Sequence, residues 1–99
     1  MATISVVISA YNEERKIEEC LESVKWADEI IFVDNSSTDA TAAIAKKYTK
    51  KIFKRPNNPM LNKNKNFGIS KASSEWILYI DADERVTPEL AKEIKSVIN

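Results

Sequence analysis

Four short segments rich in β-branched and aromatic residues recur along the chain, and they predict its strands. They are Thr3–Ser9, Ile30–Val33, Lys51–Lys54 and Trp76–Ile80. The third carries a lysine at each end, which is typical of a strand at the edge of a sheet. The other three are almost continuously apolar, and such runs favour strands that are covered on both faces.

The segment after the first strand has the spacing of an amphipathic helix. Its apolar positions are Ile17, Cys20, Leu21 and Val24. Asn12 precedes this stripe and is expected to cap the helix, because its side chain can accept a hydrogen bond from a free N–H group of the first turn. Glu13 and Glu14 would then lie in that turn, where the helix dipole favours negative charge.

Three further helices are predicted from capping residues and helical spacing. Ser37 or Thr38 is expected to cap the second helix, and the third should run over Leu61–Ala72. Pro88 suits the first turn of a fourth helix, with Thr87 as its cap. The apolar positions expected to face inward on that helix are Leu90, Ile94, Val97 and Ile98.

The alternation of strands and helices predicts an α/β fold with a mainly parallel sheet and right-handed crossovers. With helices on both faces, the sheet becomes the middle layer of a three-layer α/β/α sandwich. The chain has 99 residues, which fits a single domain, and it contains no internal repeat. Gly68 is the only glycine, and we expect it to let the third helix pack closely on the sheet.

Composition excludes several classes of function. Lys and Arg number 15 and Asp and Glu number 15, so a net charge of zero gives no reason to expect a nucleic-acid partner. The absence of His removes Ser-His-Asp and Cys-His catalysis and most zinc sites. Cys20 is the only cysteine; we expect it to be buried, and its isolation indicates a reducing, cytoplasmic compartment. Neither a glycine-rich dinucleotide fingerprint nor a P-loop is present.

Acidic and amide side chains follow the second and fourth strands where each strand ends. Asp34 and Asn35 follow the second strand, and Asp81 and Asp83 follow the fourth. In open parallel sheets, ligands bind at the carboxyl ends of the strands. Two neighbouring carboxylates can hold Mg²⁺ or Mn²⁺ together with phosphate oxygens. The alternative is an acidic turn that merely precedes the last helix.

Basic and aromatic residues near these strand ends have two possible roles as well. Lys63 and Lys65, with Arg55, could neutralise a diphosphate, or they could form an ordinary solvated face. Tyr11 follows the first strand and could stack on a nucleobase or cover the edge of the core.

Four motifs, in this order, resemble the N-terminal half of family 2 glycosyltransferases with the GT-A fold. They are Ser5–Glu14, Val33–Asp39, Lys65–Ser70 and Ile80–Glu84. The likeness covers essentially the whole chain and is greatest to lipopolysaccharide-core glucosyltransferases. It implies a truncated GT-A, Rossmann-like sheet with strand order 3-2-1-4.

The resemblance implies inverting transfer of a sugar from a nucleotide diphosphate sugar, usually UDP-linked, to a glycan or lipid-linked acceptor. Asp83 is implied to bind Mg²⁺ or Mn²⁺ directly, and Asp81 to contact the ribose or the water shell of the metal. Asn35 stands where the family often has an aspartate that contacts uracil, so it keeps a carbonyl acceptor and loses the charge. The residues implied to bind the nucleotide sugar are Ser9, Tyr11, Glu13, Asp34, Asn35, Lys65 and Asp81.

Family members are longer than this chain, and their catalytic base is a carboxylate beyond the position of Asn99. We therefore assign no catalytic residue here and expect a truncated nucleotide-binding half that does not turn over alone. In the order 3-2-1-4 the apolar fourth strand is an exposed edge, so we expect a homodimer or aggregation through that strand or the last helix. A full-length protein could lie peripherally at the inner face of the membrane.

Two other interpretations stay open. The first is a non-catalytic α/β domain that serves structure or association and has an incomplete binding site. The second is a receiver-like signalling domain, which needs an acidic pair after the first strand and a lone aspartate after a later one. The acids after the first strand and the spacing of Asp81 and Asp83 match that pattern poorly.

Overall fold

A computed structural model describes residues 2–57 and 61–98. Strands and helices alternate along these residues, as the sequence predicts. The elements are β1 Ile4–Ala10, α1 Ile17–Glu22, β2 Glu29–Asp34, α2 Thr41–Ala45, β3 Ile52–Lys54, α3 Leu61–Ser70, β4 Trp76–Asp81 and α4 Pro88–Ile98. Within the described ranges, no helix has the length and apolar character needed to cross a membrane.

The four strands form one parallel sheet in the order β3-β2-β1-β4, which confirms the predicted order. Ala10 of β1 is opposite Asp34 of β2, and Ser9 of β1 is opposite Asp81 of β4. The carboxyl ends of β1, β2 and β4 therefore lie side by side at one edge of the sheet.

Helices cover both faces of the sheet and complete the three layers. On one face, side chains of α1, α2 and α4 join those of the sheet in the main buried cluster. Its members are Val6, Ile8, Ala10, Ile17, Cys20, Leu21, Val24, Ile30, Phe32, Ala45, Ile80, Ala82, Val86 and Ala91. On the other face, α3 lies against alternate residues of β1 and β2.

Gly68 is the point of closest approach between α3 and the sheet. A Cβ atom at this position would lie 2.7 Å from Val7 Cγ1 and 2.9 Å from Val33 Cγ2. Both valine side chains are fully buried and have no room to yield. The expectation that Gly68 permits close packing is therefore confirmed.

The side chains of β4 are more exposed than predicted, since the apolar pattern favours a strand that is covered on both faces. Trp76 is 45 % exposed and Ile77 is 44 % exposed. On α4, Ala91 is buried, whereas Leu90 and Val97 are exposed. The predicted inward positions of α4 are therefore wrong for Leu90 and Val97, because β4 is the last strand and offers that helix only a narrow surface.

Two of the predicted helix caps are also wrong. Neither predicted residue caps its helix: α1 begins after Lys16 without a side-chain cap, and α2 begins after Ala40, where the N–H of Thr41 donates to Asp39 Oδ1 at 2.9 Å. Asn12 has a positive φ of 51° and lies in the loop before α1 rather than at its start. The predicted cap of α4 is confirmed, since the N–H of Leu90 donates to Thr87 Oγ1 at 3.1 Å.

Cys20 is completely buried, as predicted. Burial raises the pKa of its thiol to about 12, with further contributions from the charges of Glu84, Asp83 and Asp81. A thiol with this pKa is protonated at neutral pH, so Cys20 serves as a core residue and not as a nucleophile.

Candidate functional site

Asp34 is the last residue of β2, and its side-chain and backbone oxygens accept hydrogen bonds from other parts of the protein. Its side chain is nearly buried, and its Oδ1 atom accepts a hydrogen bond of 3.0 Å from the N–H of Ser37. Its backbone oxygen accepts from the N–H of Arg55 at 2.8 Å. Asp34 thus closes the turn after β2, which includes Ser36 with a positive φ of 62°.

The loops that follow β1 and β2 are joined by hydrogen bonds. The N–H of Asn12 donates to Ser37 Oγ at 2.9 Å, and Asn12 Oδ1 accepts from the N–H of Thr38 at 2.7 Å. The N–H of Glu13 donates to Thr41 Oγ1 at 2.9 Å. Asn12 therefore cross-links two loops instead of capping a helix, and these bonds give the site a firm rim.

Asn35 lies at the centre of the carboxyl edge. Its Nδ2 donates to Ser9 Oγ at 2.9 Å, and its Oδ1 accepts from Asn64 Nδ2 at 2.7 Å. Two predicted site residues, Ser9 and Asn35, are thus in direct contact, and Asn64 of α3 joins them. Asn64 also donates to the backbone oxygen of Pro56 at 2.8 Å.

Tyr79 connects the same group to β4. Its pKa is raised to about 12, first by burial and then by the charge of Asp81 and a hydrogen bond to it, while a hydrogen bond with Ser9 acts in the opposite direction. The phenol is therefore neutral at neutral pH, and it lies on the same face of β4 as Asp81. Lys65 Nζ lies 4.7 Å from the centre of the Tyr79 ring, an ordinary cation–π distance, which places its charge on the sheet face that carries Ser9 and Asp81.

The two aspartates of β4 and the following turn are both exposed, with the buried Ala82 between them. The N–H of Asp81 donates to Glu84 Oε1 at 2.7 Å, and the backbone oxygen of Asp81 accepts from the N–H of Glu84 at 2.9 Å. Asp81 shares a sheet face with Ser9. Asp83 instead lines a cavity on the α1 side, together with Lys16, Glu19, Glu84 and Arg85.

The arrangement sorts the predicted site residues into those in contact and those nearby. Ser9, Asn35 and Asp81 lie together at the carboxyl edge, and Lys65 lies over the neighbouring Tyr79 ring. Tyr11 is 44 % exposed at the end of β1, and Glu13 contributes its backbone to the rim. Within residues 2–57 and 61–98, no three acidic or cysteine side chains form a ready metal-binding group.

Sequence reasoning missed Asn64 and Tyr79. Tyr79 lies two residues before Asp81 on a strand, so both side chains point to the same face, and that spacing was a usable signal. No sequence signal pointed to Asn64, because its partners lie in other segments: Asn35 directly after β2 and Pro56 in the loop after β3.

A family model described as Glycosyl transferase family 2 matches residues 5–98. An uncharacterised glycosyltransferase of Rickettsia typhi is 41% identical over 98 residues, which are 98% of this chain and 33% of that protein. The poly(ribitol-phosphate) β-N-acetylglucosaminyltransferase TarS of Staphylococcus aureus is 30% identical over 110 residues, covering 100% of this chain and 19% of TarS. At most, the chain therefore spans about a third of the length of these relatives.

Solved structures agree with the sequence relatives. A crystal structure of S. aureus TarS matches with a TM-score of 0.82 at 29% identity, over 97% of this chain and 32% of that one. The glucosyl-3-phosphoglycerate synthase of Mycobacterium tuberculosis, in complex with Mg²⁺ and UDP, matches with a TM-score of 0.71 at 26% identity, over 85% of this chain and 35% of that one. These neighbours have the GT-A, Rossmann-like fold that the resemblance implies. With its motifs at the carboxyl ends of the strands and a family match along nearly its whole length, the chain belongs to glycosyl transferase family 2.

Proposed function

We propose that this chain binds the donor of a sugar-transfer reaction, a nucleotide diphosphate sugar of the UDP type, together with Mg²⁺ or Mn²⁺. The observation that carries the proposal is the convergence of Ser9, Asn35, Lys65 and Asp81 at the carboxyl edge of the sheet. This edge combines an amide that can pair with a base, a cation for the diphosphate and a carboxylate for the ribose. M. tuberculosis glucosyl-3-phosphoglycerate synthase, a structural neighbour, was solved with Mg²⁺ and UDP.

The residues present suit a divalent ion that is shared with phosphate groups. Asp81 and Asp83 are exposed and so can be reached by a ligand. Mg²⁺ and Mn²⁺ usually take one or two carboxylates from the protein and complete their shell with phosphate and water oxygens, so Asp83 alone would be sufficient, with Asp81 on the other side of the turn beside Ser9. When bound, such an ion neutralises charge on the departing nucleoside diphosphate.

Other parts of the site would orient the donor. Tyr79 is neutral and lies two residues before Asp81 on the same face of β4, so its hydroxyl can donate to Asp81 and orient that carboxylate. Lys65 is held over the Tyr79 ring, where its charge can meet a diphosphate that approaches Asp81. Tyr11 is exposed beside Ser9 and can cover a base. The firm rim formed by the two loops keeps these groups in place before the ligand arrives.

We further propose that the acceptor, a glycan or a lipid-linked sugar, and the catalytic base belong to a longer cytoplasmic protein that can lie at the inner membrane face. An inverting transfer needs a carboxylate that removes the proton of the acceptor hydroxyl. In this proposal Asp81 and Asp83 bind the donor and its metal ion, and Asp34 is turned inward to Ser37, so none of the three serves as the base. The 99 residues would thus supply donor binding.

Titration of the chain with UDP, with and without Mn²⁺, tests the proposal. We expect binding that requires Mn²⁺ and weakens by about tenfold or more in Asp83→Ala, since one charged ligand is worth more than 1.4 kcal/mol. Glu89→Ala is the matched control, because Glu89 is an exposed acid at the start of α4, and its affinity should equal that of the wild type. Equal UDP binding in EDTA and in Asp83→Ala would refute the metal-dependent site.

An association domain is the second candidate, and the exposed apolar surface of β4 and α4 favours it. Trp76, Ile77, Leu90 and Val97 line one shallow groove there. The edge of β4 has no charged residue from Trp76 to Ile80, whereas β3 at the other edge ends in Lys54 and is preceded by Lys51. Uncharged edges pair with other strands, so we expect a homodimer through β4.

Light scattering after size-exclusion chromatography tests this association. The wild type should be dimeric at high concentration, and Ile77→Lys, which places a charge on the edge, should be monomeric. Lys54→Ala, on the opposite edge, should stay dimeric. A monomeric wild type at all concentrations would rule the dimer out, whatever the outcome with UDP.

A further inference from the structure

Asn64 is one of the few buried polar residues of the chain, being 7% exposed. Its Nδ2 donates to Asn35 Oδ1 at 2.7 Å and to the backbone oxygen of Pro56 at 2.8 Å. A backbone oxygen can only accept, so the amino group of Asn64 has to face Pro56. The Asn35 atom that faces this same amino group then has to be the carbonyl oxygen.

The orientation of the Asn35 amide follows from that of Asn64. With its carbonyl turned to Asn64, its amino group faces Ser9 and donates to Ser9 Oγ at 2.9 Å. Asn35 is therefore fixed between α3 and β1 at the end of β2. One N–H and one carbonyl lone pair of its amide remain unused by these three bonds.

We propose that Asn64 is a positioning residue for base recognition, because it holds Asn35 so that the amide offers both a donor and an acceptor to the nucleobase. This inference rests on the proposed function, in which Asn35 lies at the base. Uracil presents an N–H between two carbonyl oxygens, and cytosine presents a ring nitrogen acceptor beside an amino group. A fixed amide can pair with either edge, whereas a carboxylate at position 35 could only accept, from the uracil N–H or from the cytosine amino group, and would lose the donor.

A merely structural role for Asn64 would have a different signature. Asn64 also fills space between α3 and the sheet, so its replacement is expected to lower stability in either case. A loss of packing alone would weaken every ligand similarly or none at all. The contrast between nucleotides and pyrophosphate responds only if Asn64 acts through Asn35.

The experiment is a set of calorimetric titrations of the 99-residue chain with UDP, CDP and pyrophosphate, each with Mn²⁺. We expect the wild type to bind UDP and CDP within about tenfold of each other, and Asn35→Asp, which keeps an acceptor and loses the donor, to weaken both by about tenfold. Asn64→Ala should weaken both nucleotides by about tenfold and leave pyrophosphate within about twofold. Ser70→Ala is the control, since Ser70 is exposed on the same helix and bonds only within it.

NMR spectra and a second variant distinguish a local effect on Asn35 from misfolding. The side-chain amide signals of Asn35, identified by their loss in Asn35→Asp, should shift in Asn64→Ala without any ligand. If Asn64→Ala does not fold, Asn64→Ser should give an intermediate loss, because its hydroxyl can donate to one of the two acceptors.

Two results would overturn the inference while leaving donor binding intact. One is wild-type affinity for UDP and CDP in the Asn64 variants, and the other is wild-type affinity for both nucleotides in Asn35→Asp. Failure of the wild type to bind either nucleotide is a separate result, which would refute the proposed function and this inference with it.

Discussion

Two carboxylates at opposite ends of the sheet, those of Glu29 and Asp81, have opposite environments. At the amino end, Glu29 is buried and accepts hydrogen bonds from Ser5 Oγ at 2.6 Å and from the N–H and hydroxyl of Ser73, both at 2.9 Å, besides its ion pair with Lys51. At the carboxyl end, Asp81 is exposed as the last residue of β4. The first carboxylate closes the fold, and the second stays accessible to a ligand.

The environment of Glu29 keeps its carboxylate charged. Burial by itself raises the pKa, but hydrogen bonds from Lys51, Ser5 and Ser73 outweigh burial and lower the pKa from 4.5 to about 2. Each partner is a donor, and together they join the starts of β1 and β2 to β3 and to the loop before β4. The comparison teaches that an acidic residue at a strand end is not by itself a sign of a ligand site: the number of donors around it decides.

Removal of each carboxylate tests this comparison most strongly. Glu29→Ala should lower the free energy of unfolding by about 3 to 5 kcal/mol, because it leaves buried donors and Lys51 without their partner. Asp81→Ala should change it by no more than about 0.5 kcal/mol, as surface substitutions do. Urea unfolding followed by circular dichroism measures both, and similar losses in the two variants would refute the contrast.

Acid should remove the contribution of Glu29 in a defined range. Its native pKa of about 2 lies below the ordinary value of 4.5, so the stabilisation is complete above pH 4.5 and is lost as the pH falls towards 2. The shift corresponds to about 3 kcal/mol. Urea unfolding of the wild type and of Glu29→Gln from pH 7 to pH 2 should give curves that approach each other on acidification; a constant separation would contradict the assignment.

The sequence predicted the parts of the fold that depend on local pattern. Strand positions, the cap at Thr87, the close packing at Gly68 and the burial of Cys20 all follow from residue type and spacing. The ends of the strands also located the candidate site, because parallel strands bring their carboxyl ends to one edge.

What the sequence did not predict depends on contacts between distant segments. Glu29 meets Ser73, 44 positions away, and Asn12 meets Thr38, 26 positions away, so neither role is visible in a local window. Asn12 was interpreted as a cap because residues of its type usually are. The exposure of Leu90 and Val97 was missed because helical spacing identifies an apolar face without saying whether anything covers it.

The smallest expected effect separates stability from binding at the two ends. Tyr79→Phe removes the hydroxyl that can donate to Asp81 and keeps the ring that Lys65 contacts at 4.7 Å, so stability should fall by about 1 kcal/mol or less. Its affinity for UDP with Mn²⁺ should weaken by a few fold, since a freed Asp81 carboxylate is less well oriented.

Ser73→Ala is the counterpart at the amino end: it loses one bond to Glu29 and should lose about 1 kcal/mol of stability with UDP affinity unchanged. Unfolding curves and UDP titrations of both variants measure the four values. If Ser73→Ala weakened UDP binding as much as Tyr79→Phe, the two ends would be coupled through the sheet, and the division between a closing end and a binding end would be wrong.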